Sequence, residues 1–253
     1  MCRLAAHSKG RQLCPPGWGI VMSEGENSME RAQERLLAAA LPNVAFDGWS
    51  DRTLAAAMAE SGVPPGLARA LFPRGGVDLA LAWHRQGDLQ MAEALAGADM
   101  TGFKFRDKVT KAVRLRLESS GPREILRRSS SLFSLPSHLV EGAGLIWGTS
   151  DAIWTALGDT SRDSNWYSKR AVLSAVYAAT LLFWLGDDSE GQAATWDFLD
   201  RRIANVMQFE KAKAGFRENP LGKALLAGPL KILERVHAPE MVRGLPGRMN
   251  PRH

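Results

Sequence analysis

Apolar residues recur along most of this chain at the three- and four-residue spacing of one face of an α-helix, and the elements follow from where that rhythm starts and stops. Leu36, Leu37 and Ala40 mark a short amphipathic helix over 31–41. Ser50 then caps a helix over 51–60, Gly62 breaks the chain, and Pro64 and Pro65 start a third short helix that ends at Phe72-Pro73. A long helix over 77–95 follows. Helix, helix, tight glycine turn, helix is the order of a helix-turn-helix unit.

In the middle of the chain, 104–119 reads as a basic helix with Lys104, Lys108 and Lys111 on one face and Val109, Val113 and Leu117 on another. A shorter helix covers 122–132. Pro136 and Ser137 then open a helix reaching about 157, with Leu139, Ile146, Trp147, Ile153 and Trp154 along it. Gly142, Gly144 and Gly148 interrupt it and leave room for a neighbouring backbone or for a ligand. The helix over 165–185 is apolar almost all round, with Val172, Val176 and Phe183 on one side and Leu173, Tyr177, Thr180 and Trp184 on another. Such a helix must be buried on every face, as a core helix, a dimer seam or the wall of an apolar cavity.

A further helix over 196–207 carries Leu199, Ile203 and Val206 on one stripe, and the charged stretch 209–219 with Gly215 reads as a linker or a fraying helix end. Asn219-Pro220 starts a last segment to about His237, in which Leu221, Leu225, Ile232 and Val236 centre an apolar stripe edged by Leu226 and Leu233. Lys231 and Arg235 border that stripe, and Lys223 lies opposite. An amphipathic helix of this kind can lie on an anionic membrane surface, or fold back and bury the same stripe on the body.

Composition narrows the picture. Ala and Leu dominate, tyrosines number only 2, and 45% of residues are apolar against 23% charged, which fits a globular all-α fold. The net charge of +5 is local: 104–128 holds nine Lys and Arg against three acids, and 219–253 holds six against two. Local excess means particular faces meet anionic surfaces, or that a helix simply shows a solvated side. The 2 cysteines, Cys2 and Cys14, suit a reducing compartment and make neither a disulfide framework nor a zinc site. Residues 1–28 read as a disordered leader or an extension of the reading frame, and the sequence has no apolar run of about 18 residues, the length a spanning helix needs.

Catalytic patterns do not emerge. None of the 5 histidines forms H-x-x-x-H, and His138 with Glu141 reverses the order of a di-iron Glu-x-x-His pair. G-x-S-x-G, the P-loop and G-x-G-x-x-G are missing from the sequence. The reading is a non-catalytic protein with no cofactor and no metal.

The densest signal lies between Asp159 and Asp188, where a polar loop runs into a helix whose first turn carries Trp166 and Tyr167 beside Lys169 and Arg170. Aromatics placed there are either a cap on the core or anchors for a partner. The run Asp163-Ser-Asn-Trp-Tyr-Ser-Lys-Arg-Ala-Val-Leu, followed by Tyr177, Thr180, Trp184 and Asp187, resembles the Coq-nine family of ubiquinone-biosynthesis proteins. More loosely the resemblance extends over 31–237.

That resemblance implies a TetR-like all-α bundle of about nine to ten helices. It would hold an isoprenoid or quinone lipid in an apolar pocket and present it to the demethoxyubiquinone hydroxylase, or to a ubiquinone-biosynthesis complex, at a membrane surface. It assigns partner binding to Asp163, Asn165, Trp166, Tyr167, Lys169 and Arg170. Helical phase offers Ile146, Val172, Val176 and Thr180 as pocket lining, and membrane contact falls to Leu221, Lys223, Leu225, Leu226, Lys231, Ile232, Leu233 and Arg235. The expected organisation is 29–98 as the helix-turn-helix-like unit, 99–214 as the lipid- and partner-binding domain, 215–237 as linker and membrane helix, and 238–253 as a disordered tail. A homodimer is expected, peripheral to a bacterial inner membrane or on the mitochondrial matrix side.

The alternative is a TetR-like regulator that binds DNA and a hydrophobic effector. Its weakness is chemical, because a recognition helix over 64–72 offers base edges and phosphates only Arg69, with Arg74 just beyond.

Overall fold

The computed structural model describes residues 24–162 and 164–218. Among them it shows nine α-helices and no strand: α1 Glu24–Asp47, α2 Asp51–Ser61, α3 Pro65–Leu71, α4 Gly76–Gly97, α5 Phe105–Glu118, α6 Arg123–Phe133, α7 Leu139–Ala156, α8 Ser164–Leu185 and α9 Ala193–Glu218. A short 3-10 turn, Glu190–Gln192, joins α8 to α9.

The first three helices close on α4 for reasons visible in the sequence. The Ser50 side chain accepts from the Thr53 N–H at 3.3 Å and starts α2, and Gly62 ends it in the left-handed region at φ 63°. Gly75 and Gly76 bring the start of α4 against the start of α2. A Cβ on Gly76 would lie 2.3 Å from the Trp49 carbonyl carbon, so no other residue fits there. Leu36, Ala40, Val44, Ala57, Phe72 and Leu79 fill the interior, and Trp49 packs on Trp83 with ring centroids 5.5 Å apart.

Two helices run further than their sequence signals. α1 passes through Pro42 to Asp47, because Val44 continues the buried stripe of Leu36, Leu37 and Ala40 and the Asn43 amide donates to the Ala39 carbonyl at 3.3 Å. Residues 24–28, expected in the leader, belong to this helix. α9 continues through 209–218, which takes the helical side of the two expectations for this stretch, a linker or a helix end, since its Glu, Lys and Ala residues favour helix enough to carry Gly215.

α4, α5 and α7 meet around a buried guanidinium. Arg116 is 1% exposed and donates from Nε to Asp88 at 2.6 Å, from one terminal nitrogen to the Ser120 hydroxyl at 2.8 Å, and from the other to the His84 carbonyl at 3.0 Å. The Thr149 hydroxyl donates to Asp88 at 2.8 Å and is hydrogen-bonded to His84 Nε2 at 3.0 Å. Burial first, and then the Arg116 charge, hold the His84 pKa well below the usual imidazole range. Gly87 completes the site, because a Cβ there would come within 2.8 Å of the guanidinium carbon.

Removing one member of a buried ion pair strands the other. Arg116→Met should lower the unfolding free energy by about 3–5 kcal/mol, measured by urea denaturation, by leaving Asp88 unpaired. The double variant Arg116→Met, Asp88→Asn should recover part of that loss.

Candidate functional site

The junction of α7 and α8 is built from charges that satisfy one another. Gly158, at φ 78°, turns the chain out of α7, and the Asp159 N–H donates back to the Trp154 carbonyl at 2.9 Å. One Asp159 oxygen accepts from Lys169 Nζ at 2.7 Å and the Ser161 hydroxyl at 2.8 Å, while the other accepts from Arg170 at 3.1 Å. Arg170 also donates through Nε to Asp151 at 2.6 Å and to the Trp166 carbonyl at 3.2 Å. Its guanidinium carbon lies 4.0 Å from the centre of the Trp166 ring.

This brace presents an aromatic cluster. Trp166 and Tyr167 meet edge to face at 4.8 Å, and Trp147 of α7 lies 6.0 Å from the first and 6.5 Å from the second. All three rings are half-buried. Beside them Trp154 donates its indole N–H to the Lys169 carbonyl at 3.2 Å and stacks on Phe105 of α5 at 5.4 Å.

Burial alone would raise the Asp159 pKa, but the bonds from Lys169, Ser161 and Arg170 outweigh it and hold the carboxyl down at about 2. Asp187, at the far end of α8, is held below the usual carboxylate range by its bonds to Ser189 and Thr195. It accepts from both of their backbone N–H groups at 2.9 Å and so caps the turn into α9.

The structure sorts the residues singled out from sequence. Asn165 is exposed, and Trp166, Tyr167 and Lys169 are half-buried on the same edge. Arg170 turns inward, at 2% exposure, and positions the loop rather than offering its charge outward. Asp163 and the whole membrane set from Leu221 to Arg235 lie outside the described residues. Tyr177, Thr180, Trp184 and Asp187 are buried, so the second half of the motif builds the core.

Of the pocket set, Val176 and Thr180 are buried, Ile146 and Val172 are half-buried, and the Thr180 hydroxyl donates to the Val176 carbonyl of its own helix at 2.7 Å. A cavity of about 150 Å3 lies elsewhere, between α1, α4, α5 and α6, lined by Leu41, Trp83, Gln90, Arg116, Ser120 and Ile125 among others. It is smaller than an ordinary ligand site and none of the four residues borders it. Of the three interrupting glycines, Gly142 serves tight packing, since a Cβ there would stand 2.8 Å from the Phe133 carbonyl oxygen, while Gly144 and Gly148 open on free space.

Sequence reasoning missed Asp151 and the site role of Asp159 and Trp147. The signal was present as two acids bracketing the loop opposite a Lys-Arg pair, with Trp147 placed two turns before Trp154 on one helix face. Among the described residues no group of three His, Cys, Asp or Glu could hold a metal, and no helix is long and apolar enough to cross a membrane.

A helix-turn-helix-like unit feeding a long α4 and a body of five further helices defines a TetR-like fold. The crystal structure of a TetR transcriptional regulator from Nitrosomonas europaea superposes with a TM-score of 0.57 at 17% identity, over 70% of this chain and 99% of that one. At that identity the likeness is one of fold alone. The family model for COQ9 matches 139–210, which contains the whole aromatic cluster and its brace. The chain is 34% identical over 193 residues to the ubiquinone biosynthesis protein COQ9, mitochondrial, of Xenopus tropicalis, covering 73% of this chain and 61% of that protein. It is 31% identical over 219 residues to the protein of the same name from Rattus norvegicus, covering 81% of this chain and 67% of that one. The chain belongs to the COQ9 family. It spans about three fifths of the length of the Xenopus relative.

The brace should be visible in acid. A depressed carboxylate pKa stabilises the fold above its unfolded value of 3.8 and loses that contribution as pH falls towards about 2. Asp159→Asn should therefore be less stable than the parent by roughly 2 kcal/mol at neutral pH, with the gap closing between about pH 4 and pH 2 in chemical denaturation.

Proposed function

We propose that this protein acts in ubiquinone biosynthesis as a non-catalytic carrier. It takes an isoprenoid quinone intermediate from the membrane and presents it to the demethoxyubiquinone hydroxylase. The observation that carries the reading is the Trp147, Trp166 and Tyr167 cluster, held half-exposed by a buried guanidinium inside the region that matches the family. Large rings fixed in place at the surface and partly exposed are the groups that dominate protein–protein contacts, because little entropy is lost when a partner covers them.

The lipid half of the reading has a separate rationale. Each methylene left in water costs about 0.8 kcal/mol, so a long isoprenoid tail moves between membrane and enzyme only under cover. The apolar helix α8, with Val172, Val176 and Thr180, and α7, with Ile146, would supply part of that cover, and the segment from Leu221 to Arg235 would hold the protein on the bilayer. The protein would work as a homodimer peripheral to a membrane, at the bacterial inner membrane or on the matrix side in a mitochondrion.

The TetR-like fold keeps DNA binding as a second reading, but α3 supplies little for it. Its exposed residues are Pro65, Gly66, Arg69 and Ala70, and Arg74 is ion-paired to both Asp78 and Glu141. A regulator should bind duplex DNA with an affinity that falls steeply with salt and is lost in Arg69→Ala.

Native mass spectrometry with lipid extraction, on protein purified from its host, tests the carrier directly: a co-purifying isoprenoid or quinone is the expected result. Tyr167→Ala and Trp166→Ala should each weaken binding of the hydroxylase by more than tenfold in a titration, with melting temperatures close to the parent's. A large fall in melting temperature with unchanged binding would make the cluster a cap on the core.

A further inference from the structure

The connection between α4 and α5 is the other exposed apolar feature at this end of the molecule. Gly102, at φ 77°, forms a turn that places Phe103 and Phe105 outward at 46% and 47% exposure. Phe105 keeps a contact with the body through its stacking on Trp154, whereas Phe103 makes no ring contact among the described residues, and both alternate with cations in the run Phe103-Lys104-Phe105-Arg106. Lys108 and Lys111 continue the positive face along α5, and among the described residues neither they nor Lys104 makes an ion pair. The acids nearest to it are occupied, Asp107 with Arg106 at 3.1 Å, Asp99 with the Thr101 N–H at 2.9 Å, and Asp200 of α9 with the Thr110 hydroxyl at 3.4 Å.

We propose that this turn is a membrane contact in its own right, seating on an anionic lipid surface with Phe103 and Phe105 among the acyl carbons and Lys104, Lys108 and Lys111 at the headgroups. Rings flanked by long cationic side chains match the bilayer boundary, where the ring enters the apolar layer and the ammonium group reaches back to phosphate. The occupant follows from charge complementarity, since the exposed Lys104 lies between the two rings in the chain, the half-buried Lys108 and Lys111 follow it along α5, and the side of Phe105 away from Trp154 and the Phe103 ring are left at the surface. An acidic protein surface would satisfy the lysines, but each ring would then need its own cavity.

The placement ties this turn to the aromatic site. Phe105 stacks on Trp154, whose ring also lies 5.1 Å from Lys169 Nζ, and Lys169 holds Asp159 at the foot of the Trp166 loop. Seating Phe103 in the bilayer therefore sets the cluster near headgroup level, where a lipid leaving the membrane would meet it. This proposal deepens the carrier reading and rests on it only for that consequence, because the contact itself needs nothing beyond 99–111.

The test uses the full chain with Cys2 and Cys14 replaced by serine and one new cysteine, Phe103→Cys, carrying an environment-sensitive NBD label. Vesicles are phosphatidylcholine alone or mixed with phosphatidylglycerol. The expected result is a blue shift and quenching by spin-labelled acyl chains on the mixed vesicles only. In co-sedimentation of the unlabelled chain, Phe103→Ser should lower partitioning about tenfold. Lys104→Glu should lower it roughly thirtyfold on mixed vesicles and hardly at all on neutral ones.

A label at Phe103→Cys that stays in water while the protein sediments with vesicles overturns the proposal and leaves the carrier reading standing. Equal insertion into neutral vesicles overturns the anionic assignment, and a shift seen only on adding an acidic protein partner overturns the membrane as occupant. The same label at Leu225→Cys reports the C-terminal segment separately. If that label stays in water while the Phe103 label inserts, the membrane helix of the carrier reading fails and the proposal holds.

Discussion

The α7–α8 junction depends on one guanidinium withdrawn from water. Arg170 must be paired wherever it is buried, and Asp151 and Asp159 do this from opposite sides while the Trp166 ring covers its face. Because the two carboxylates sit at the end of α7 and in the loop beyond it, the same pairing sets the angle at which α8 begins. Trp166 and Tyr167 are then fixed relative to Trp147 without needing to be buried. A surface aromatic cluster normally collapses onto its neighbours; here the cost of unpairing Arg170 keeps it in place.

How much of this could be read from the chain depends on what kind of signal a residue carries. Helix positions were legible wherever apolar spacing coincided with a stop or start, as at Ser50, Gly62 and Pro65. They were misjudged or left open where local chemistry and packing disagree. Pro42 is a stop signal that the buried Val44 overrides, and the charged run after Phe209 reads as a linker or a fraying helix end although its composition favours helix. The aromatic site was legible because Trp and Tyr beside a polar loop are conspicuous. Its brace was not, since nothing in the spacing of Asp151, Asp159 and Arg170 says which of several charged neighbours turns inward. Pocket lining was hard to read for a related reason: helical phase gives a direction, and α8 is apolar in every direction although Ala171, Ala175, Leu182 and Phe183 lie at the surface, where burial on every face was expected.

The helix-turn-helix unit shows why a shared fold leaves function open. The structural requirements of the unit are met by Gly75 and Gly76 against α2 and by the Trp49–Trp83 contact. None of these residues needs to face a nucleic acid. The outward residues of α3 are small or apolar apart from Arg69. Arg74, the next cation, ties the start of α4 to Glu141 of α7 and so fastens the unit to the body. Rotation of such a unit against the body would have to break that bridge.

The same division between internal and outward charge runs through the basic middle of the chain. Every arginine in 104–128 is ion-paired: Arg106 to Asp107, Arg114 to Glu118, Arg116 to Asp88, Arg123 to Asp188, and Arg127 and Arg128 to Glu124. The three lysines of that segment make no ion pair among the described residues. A planar guanidinium gains from a fixed carboxylate because it bonds through several donors at once, whereas an ammonium group on a flexible stem keeps its hydration and adapts to a diffuse partner. The net charge read from sequence therefore overstates how basic most of this surface is and understates how basic one end is. Within 104–128 the positive charge that survives internal pairing is that of Lys104, Lys108 and Lys111 on α5 and just before it, next to the two exposed phenylalanines.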